Sequence, residues 1–303
     1  MALNHGFTYR WQIGPDARGQ TLLAHLAAAF PHSTMEEWAA RLAAGELALS
    51  GALAHGREPL RPGQSVTWTR PPWHEPDVPL TFDVIHEDAD LIVVAKPSGL
   101  PTMPAGGFLE HTLMTLVRVR FGDAFPAHRL GRGTSGLVLF ARSQAVAAAL
   151  GASWRSDAVT KHYRALVAGT PEWTSKAMTT PIGPVAHPRL GTIHAASPSG
   201  RAASSVATVL ERRVDDTLCD VDIMTGRPHQ IRIHMAAAGF PLVGDPLYGV
   251  GGQARADALP GDGGYLLHAH VLEVAHPSSR VPIRFEAPPP APLQSSAERA
   301  GAV

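Results

Sequence analysis

The sequence predicts an α+β fold, with a large mixed, mostly antiparallel sheet preceded by a small α+β unit. Three observations carry that expectation. Strand-like runs outnumber helical ones, they do not alternate strictly with helices, and a proline-rich stretch divides the chain early. The 303 residues are 45% hydrophobic and 17% charged, an ordinary globular composition with room for two domains.

Before the proline-rich stretch, TLLAHLAAAF (21–30) and MEEWAARLAA (35–44) place apolar residues at helical spacing. ELALSGALAH (46–55) and SVTWTR (65–70) alternate like short strands, with a turn at Ser50–Gly51. These elements make a small unit over residues 1–70. RPPWHEPDVP follows (70–79), and its prolines, which fix their own backbone and extend the residue before them, assign 71–79 to a linker.

The main unit is assigned residues 80–290. Its strand-like runs are TFDVIH (81–86), LIVVAK (91–96), LVLFA (137–141), HYRALVAG (162–169), SVATVLE (205–211), LCDVDIM (218–224), LLHAHVLEV (266–274) and VPIRFE (281–286). Helical spacing recurs in HTLMTLVRVRF (111–121), SQAVAAALGASW (143–154) and HQIRIHMAAA (229–238). After a second proline cluster, APPPAP, the small and polar tail 291–303 is expected to be disordered.

Composition narrows the function classes. Formal net charge is +0, so no broad basic surface announces a nucleic acid, and only a local patch could serve one. No apolar run approaches the roughly 20 residues that span a membrane, and MALNHGFTYR lacks the apolar stretch of a signal peptide. A single cysteine, Cys219, excludes an internal disulfide and any multi-cysteine metal site. A cytoplasmic protein is the expectation.

Three segments carry side chains with chemical potential. In HRLGRGTSG (128–136) the glycines permit close approach of another chain, Thr134 and Ser135 can bond local amides, and Arg129 and Arg132 offer forked donors suited to phosphate. Taken alone, it is also readable as a plain glycine-rich turn with solvated arginines. In TGRPHQIRIHMAAAGFPLVGDPLYG (225–249), Pro228 suits the first turn of a helix, which would put His229 and Arg232 on one face and join the positive helix end to Arg227 as an anion site. A helix capped by a basic turn is the competing reading. Five residues of helix point His229 and His234 apart, which makes a shared metal a poor reading. In KHYRALVAG (161–169), Lys161, Tyr163 and Ala165 share a strand face, where a tyrosine is usually core unless a base is there to stack on it. No phosphate-loop, dinucleotide or zinc-protease motif is present. Together, basic turns and a tyrosine without a metal or nucleotide signature suggest a phosphate-bearing polymer as ligand.

At these residues the chain resembles the RluA-type RNA pseudouridine synthases, from about Pro79 to Pro290. KPSGLPTMPAG (96–106) is similar to the family's first motif, and HRLGRGTSGLVLFA to its active-site turn, usually HRLDxxTSG. KHYRALVAG is similar to the strand bearing the active-site tyrosine, TGRPHQIRIHMAAAGFPLVGDPLYG to the last motif, and LLHAHVLEVAHP also fits. The N-terminal unit resembles, in degenerate form, a small ribosomal-protein-type RNA-binding domain, with Glu36 and Glu37 where the family concentrates arginines.

The resemblance implies the pseudouridine synthase catalytic fold and isomerisation of a uridine within structured RNA, ribosomal or transfer. It implies no cofactor, metal, nucleotide or membrane, and a monomer. Tyr163 would contact the flipped base, Ile231 would pack near it, and Arg232 would hold the active-site carboxylate. His128, Arg129, Arg132, Thr134, Ser135, Arg227 and His229 would line the RNA side. Gly131 stands where the family has its catalytic aspartate, a role glycine cannot fill. Two expectations follow: an active enzyme in which another group replaces that aspartate, or a catalytically silent RNA-binding or chaperone protein. Arg232 then needs compensation from water, a phosphate or a carboxylate from elsewhere, and Asp245 is the first substitute to examine.

Overall fold

The computed structural model describes residues 3–156 and 158–301. Two compact units divide the chain, Met1–Glu75 and Pro76–Val303. In the first, a four-stranded antiparallel sheet of β1 (Phe7–Gln12), β2 (Leu47–Leu49), β3 (Ala52–Leu53) and β4 (Ser65–Arg70) runs in the order β1-β4-β2-β3. Helices α1 (Leu22–Ala29) and α2 (Met35–Ala43) bury Leu22, Leu26, Trp38 and Leu42 with Val66 and Trp68 of β4. The α2 start is a full capping box: Glu37 N donates to Thr34 Oγ1, and Thr34 N donates to Glu37 Oε2. A glutamate at position 37 thus serves the helix end.

The proline-rich stretch is split. Its first half packs with the small unit: Asn4 Nδ2 donates to Glu75 Oε1 at 2.8 Å, and the Arg70 guanidinium lies 3.5 Å from the centre of the Trp73 ring.

The second unit is built on a ten-stranded sheet. Its elements in chain order begin with β5 (Asp83–Glu87), β6 (Leu91–Lys96), α3 (Leu113–Phe121), β7 (Phe125–Pro126), β8 (Ser135–Ala141), α4 (Gln144–Arg155) and β9 (Thr160–Ala168). Then come β10 (Ser175–Met178), β11 (Ile182–His187), β12 (Gly191–Ala196), β13 (Ser205–Arg212), β14 (Asp216–Ile223), α5 (Gln230–Ala237), β15 (Leu267–Ala275) and β16 (Pro282–Glu286). Eight strands follow the order β10-β13-β14-β9-β15-β8-β6-β5, with β16 paired to β15 and β7 to β8. All pairings are antiparallel except β15 with β8. Strands β11 and β12 form a separate hairpin.

The continuous apolar runs of β6 and β8 are strands buried on both faces. Leu91, Val93, Leu137 and Leu139 join a core under α4, while Ile92, Val94, Val138 and Phe140 join one under α3. A third core lies beneath α5, where Ile231 and Met235 meet Ala165, Val167, Val221 and Tyr265.

The tail differs from expectation. Leu293 is 1% exposed against Leu166 and Leu218, and α6 (Ser296–Ala300) sends Glu298 to Arg164 at 2.9 Å. A buried leucine, that ion pair and bonds from Arg213 to Pro292 O and Gln294 O and from Ser296 to Glu211 hold a segment whose composition suggested no order.

Candidate active site

The site grows from two loops locked together. Lys96, 1% exposed at the end of β6, donates through Nζ to the carbonyls of Pro97, Leu100 and Arg132 at 2.9, 2.7 and 3.2 Å. Gly99 N donates to Arg132 O, Ser98 Oγ to Gly133 O and Thr102 Oγ1 to Leu130 O. Segment 96–102 is therefore the scaffold of the turn 130–133. Burial pulls the Lys96 ammonium down to about 7.

Within the turn, Thr134 N donates to Gly131 O at 3.1 Å, and Ser135 Oγ lies 2.9 Å from His268 Nδ1. Arg129 is exposed, and the Arg132 guanidinium sits 5.6 Å from the centre of the Phe108 ring. His128 does not share this role. Its Nε2 accepts from Leu139 N at 3.1 Å and its ring stacks on Trp154 at 5.1 Å, so it holds β8 against α4. Burial, with the Lys161 charge adding, drops it to about 4.

Tyr163 sits centrally in the sheet. It pairs with Ala269 of β15, which pairs in turn with Gly136 of β8, so tyrosine and turn are aligned across three strands. Its half-buried ring packs against two cores, one containing Leu130 of the turn and the other Ile231 and Tyr265. Burial pushes its phenol up to about 12, so it is neutral at ordinary pH.

Helix α5 faces this wall. It begins at Gln230, not at Pro228: His229 adopts a left-handed conformation, φ 56°, and ends the preceding turn. The amide of Arg227 is taken by Gln230 Oε1, and Arg227 Nε donates to Ala202 O. The basic helix end expected from the sequence is thus partly tied to protein. His229 Nδ1 lies 2.8 Å from Tyr248 Oη, whose own proton goes to His194 O at 2.6 Å. His229 must then donate through Nδ1, which leaves Nε2 as an acceptor. Burial, then the Arg232 charge, pulls His229 down to about 3. Charge on Arg129 also bears on it, which places the turn and the helix start in one electrostatic neighbourhood.

Seven of the eight α5 residues are buried, including Arg232 at 2% exposure. Its Nε and Nη2 each donate to Asp245 at 2.7 Å, and its guanidinium lies 4.0 Å from the centre of the Tyr265 ring. Burial opposes its charge, but the Asp245 bonds raise its pKa nonetheless. Nη1 is buried with no hydrogen-bond partner. Asp245 therefore answers the need for an acidic partner. It is not a free reacting oxygen, because Oδ1 also accepts from Leu247 N and Tyr248 N.

Sequence reasoning missed Tyr265. A Cβ built on Gly131 would lie 2.7 Å from its Oη, and one on Gly133 2.8 Å from its ring, so a side chain at either position would push against this phenol. Oη lies 3.3 Å from Thr134 Oγ1. The only local signal was a tyrosine after GDGG, with nothing to connect it to Thr134 of the turn, 131 residues earlier. Among the described residues no group of three or more His, Cys, Asp or Glu could hold a metal, and no helix is long and apolar enough to cross a membrane.

The fold and the site define an RNA-modifying isomerase domain: the RNA pseudouridylate synthase model matches residues 90–237. An uncharacterised RNA pseudouridine synthase of Synechocystis is 40% identical over 86% of this chain and 91% of its own. RNA pseudouridine synthase 5 of Oryza sativa is 36% identical over 98% and 90%. The solved structure of human RNA pseudouridylate synthase domain containing 1 shares the fold, with TM-score 0.56 and 24% identity over 76% of this chain and 97% of that one. This chain belongs to the RNA pseudouridine synthase family.

Proposed function

We propose that this chain isomerises uridine to pseudouridine within structured RNA, ribosomal or transfer, as a cytoplasmic monomer without cofactor. The observation that carries the reading is Tyr163, which packs against both the core that contains the turn's Leu130 and the core that contains α5's Ile231. A flipped base needs an aromatic wall beside cationic donors, and the few kcal/mol of unstacking must be recovered from such contacts. Tyr163 is a neutral contact surface for the base. Arg232, held rigid by Asp245, supplies a fixed positive charge. Arg129 and Arg132 meet flanking phosphates, where forked donors suit the geometry.

The test is to map pseudouridine in total RNA from cells with and without the gene, then to restore the missing sites with purified protein. Sites that vanish on deletion and return in vitro support the activity. An unchanged map, with no product in vitro, rejects it and leaves the silent binder.

A further inference from the structure

Resting on that activity, we propose that the Tyr265 phenol is the catalytic oxygen of this chain, standing where a side chain at position 131 would otherwise stand. Three contacts converge on it, two from the turn and one from α5. From the turn, a Cβ at Gly131 would lie 2.7 Å from Tyr265 Oη and 3.5 Å from Thr134 Oγ1, a Cβ at Gly133 would meet the Tyr265 ring at 2.8 Å, and Gly131 itself is exposed. From α5, the Arg232 guanidinium stacks 4.0 Å from the ring centre and fixes its plane beside a positive charge. From the last residue of the turn, Thr134 Oγ1 meets Oη at 3.3 Å. The ring is 2% exposed and cannot swing away.

Two other oxygen-bearing side chains of the site are already engaged. Asp245 is consumed by Arg232 and two amides, and Ser135 Oγ is engaged with His268. A phenol suits the chemistry because uridine and pseudouridine are isomers. The N1–C1′ bond breaks, the C5–C1′ bond forms, C5 gives up one proton and N1 gains one. A phenol oxygen that takes the C5 proton while passing its own proton to N1 is returned unchanged, so no further reagent enters.

The experiment uses the full chain on an RNA it modifies. Tyr265→Phe keeps the ring and removes only Oη. The expected result is a loss of about 100-fold or more in kcat, of the size general acid–base groups contribute. KM should stay within about threefold, since ground-state binding is untouched, and the unfolding midpoint should be unchanged. Gly131→Asp alone pushes against Oη and inactivates, whereas Gly131→Asp in the Tyr265→Phe background finds room, returns an oxygen to the same place and recovers activity. A Tyr265→Phe protein with kcat near wild type, or one whose kcat falls only in step with its unfolding midpoint, overturns the proposal and leaves the phenol as a wedge. A wild-type protein that forms no pseudouridine while the double variant does overturns the proposed function as well.

Discussion

The guanidinium of Arg232 and the carboxylate of Asp245 meet at two points, Nε to Oδ2 and Nη2 to Oδ1, each 2.7 Å, with side chains 2% and 0% exposed. Removing one partner of such a pair leaves the other charge buried and uncompensated. Asp245→Asn should therefore cost about 3–5 kcal/mol of unfolding free energy. The Arg232→Met/Asp245→Leu protein should regain part of that loss, not all, because the Leu247 and Tyr248 amides still lose their acceptor. Urea unfolding of the three proteins measures this, and a single Asn variant within about 1 kcal/mol of wild type contradicts a strong pair.

His128 makes stability depend on pH. Its Nε2 can accept from Leu139 N only while unprotonated, and burial holds it near 4. The unfolded chain protonates this histidine near 6.5. Between those values the unfolded state binds more protons, so the contribution is whole above about pH 6.5 and shrinks as pH falls toward 4. From pH 6.5 to 4.5 the loss should be about 2 kcal/mol. His128→Gln cannot titrate, so the difference between wild-type and variant urea midpoints should narrow as pH drops. A difference constant with pH would mean the ring is already charged or freely solvated.

Much of this architecture is legible from residue pattern because buried strands such as LIVVAK and LVLFA are unbroken apolar runs. FTYRWQ was not, since β1 is exposed or half-exposed at every position and is ordered by pairing with β4 about 60 residues on and by Tyr9 and Trp11 packing against the core. The short strands Ser175–Met178, Ile182–His187 and Gly191–Ala196 mix glycine, proline and charge, and pairing rather than composition makes them strands. At the site, motif similarity located Tyr163, Arg232 and the turn. It could not separate His128, which faces the α4 packing, from Arg129 beside it. Nor could it connect Tyr265 to Gly131, because that relation is a close approach between segments far apart in sequence.

Lys96 ties the two loops of the site, and its three acceptors are all backbone carbonyls. Lys96→Met preserves the buried stem and removes every donor. Three carbonyls then lose a partner, at about 1–3 kcal/mol for each one left buried and unsatisfied, and relaxation should bring the total to about 2–4 kcal/mol. The local consequence is sharper than the global one. Gly99 N to Arg132 O should open first, which hydrogen exchange at Gly99 reads directly. Unchanged protection at Gly99 in a folded Lys96→Met protein would show that Ser98 and Thr102 suffice to hold the turn.

Gly136 sets the distance between the turn and the tyrosine. Its φ is 106°, and a Cβ there would fall 2.2 Å from Ala269 O and 2.7 Å from Ala269 N. Since Ala269 also pairs with Tyr163, anything that pushes β15 from β8 moves the aromatic wall relative to the glycine turn. Gly136→Ala should cost about 3 kcal/mol or more, combining a backbone conformation that L-residues avoid with a clash against main chain that has nowhere to retreat. Activity measured well below the variant's unfolding midpoint should fall further than the loss of folded protein explains, because small displacements of a positioned group cost rate steeply. A Gly136→Ala protein with full kcat per folded molecule would mean that the β8–β15 spacing does not position Tyr163.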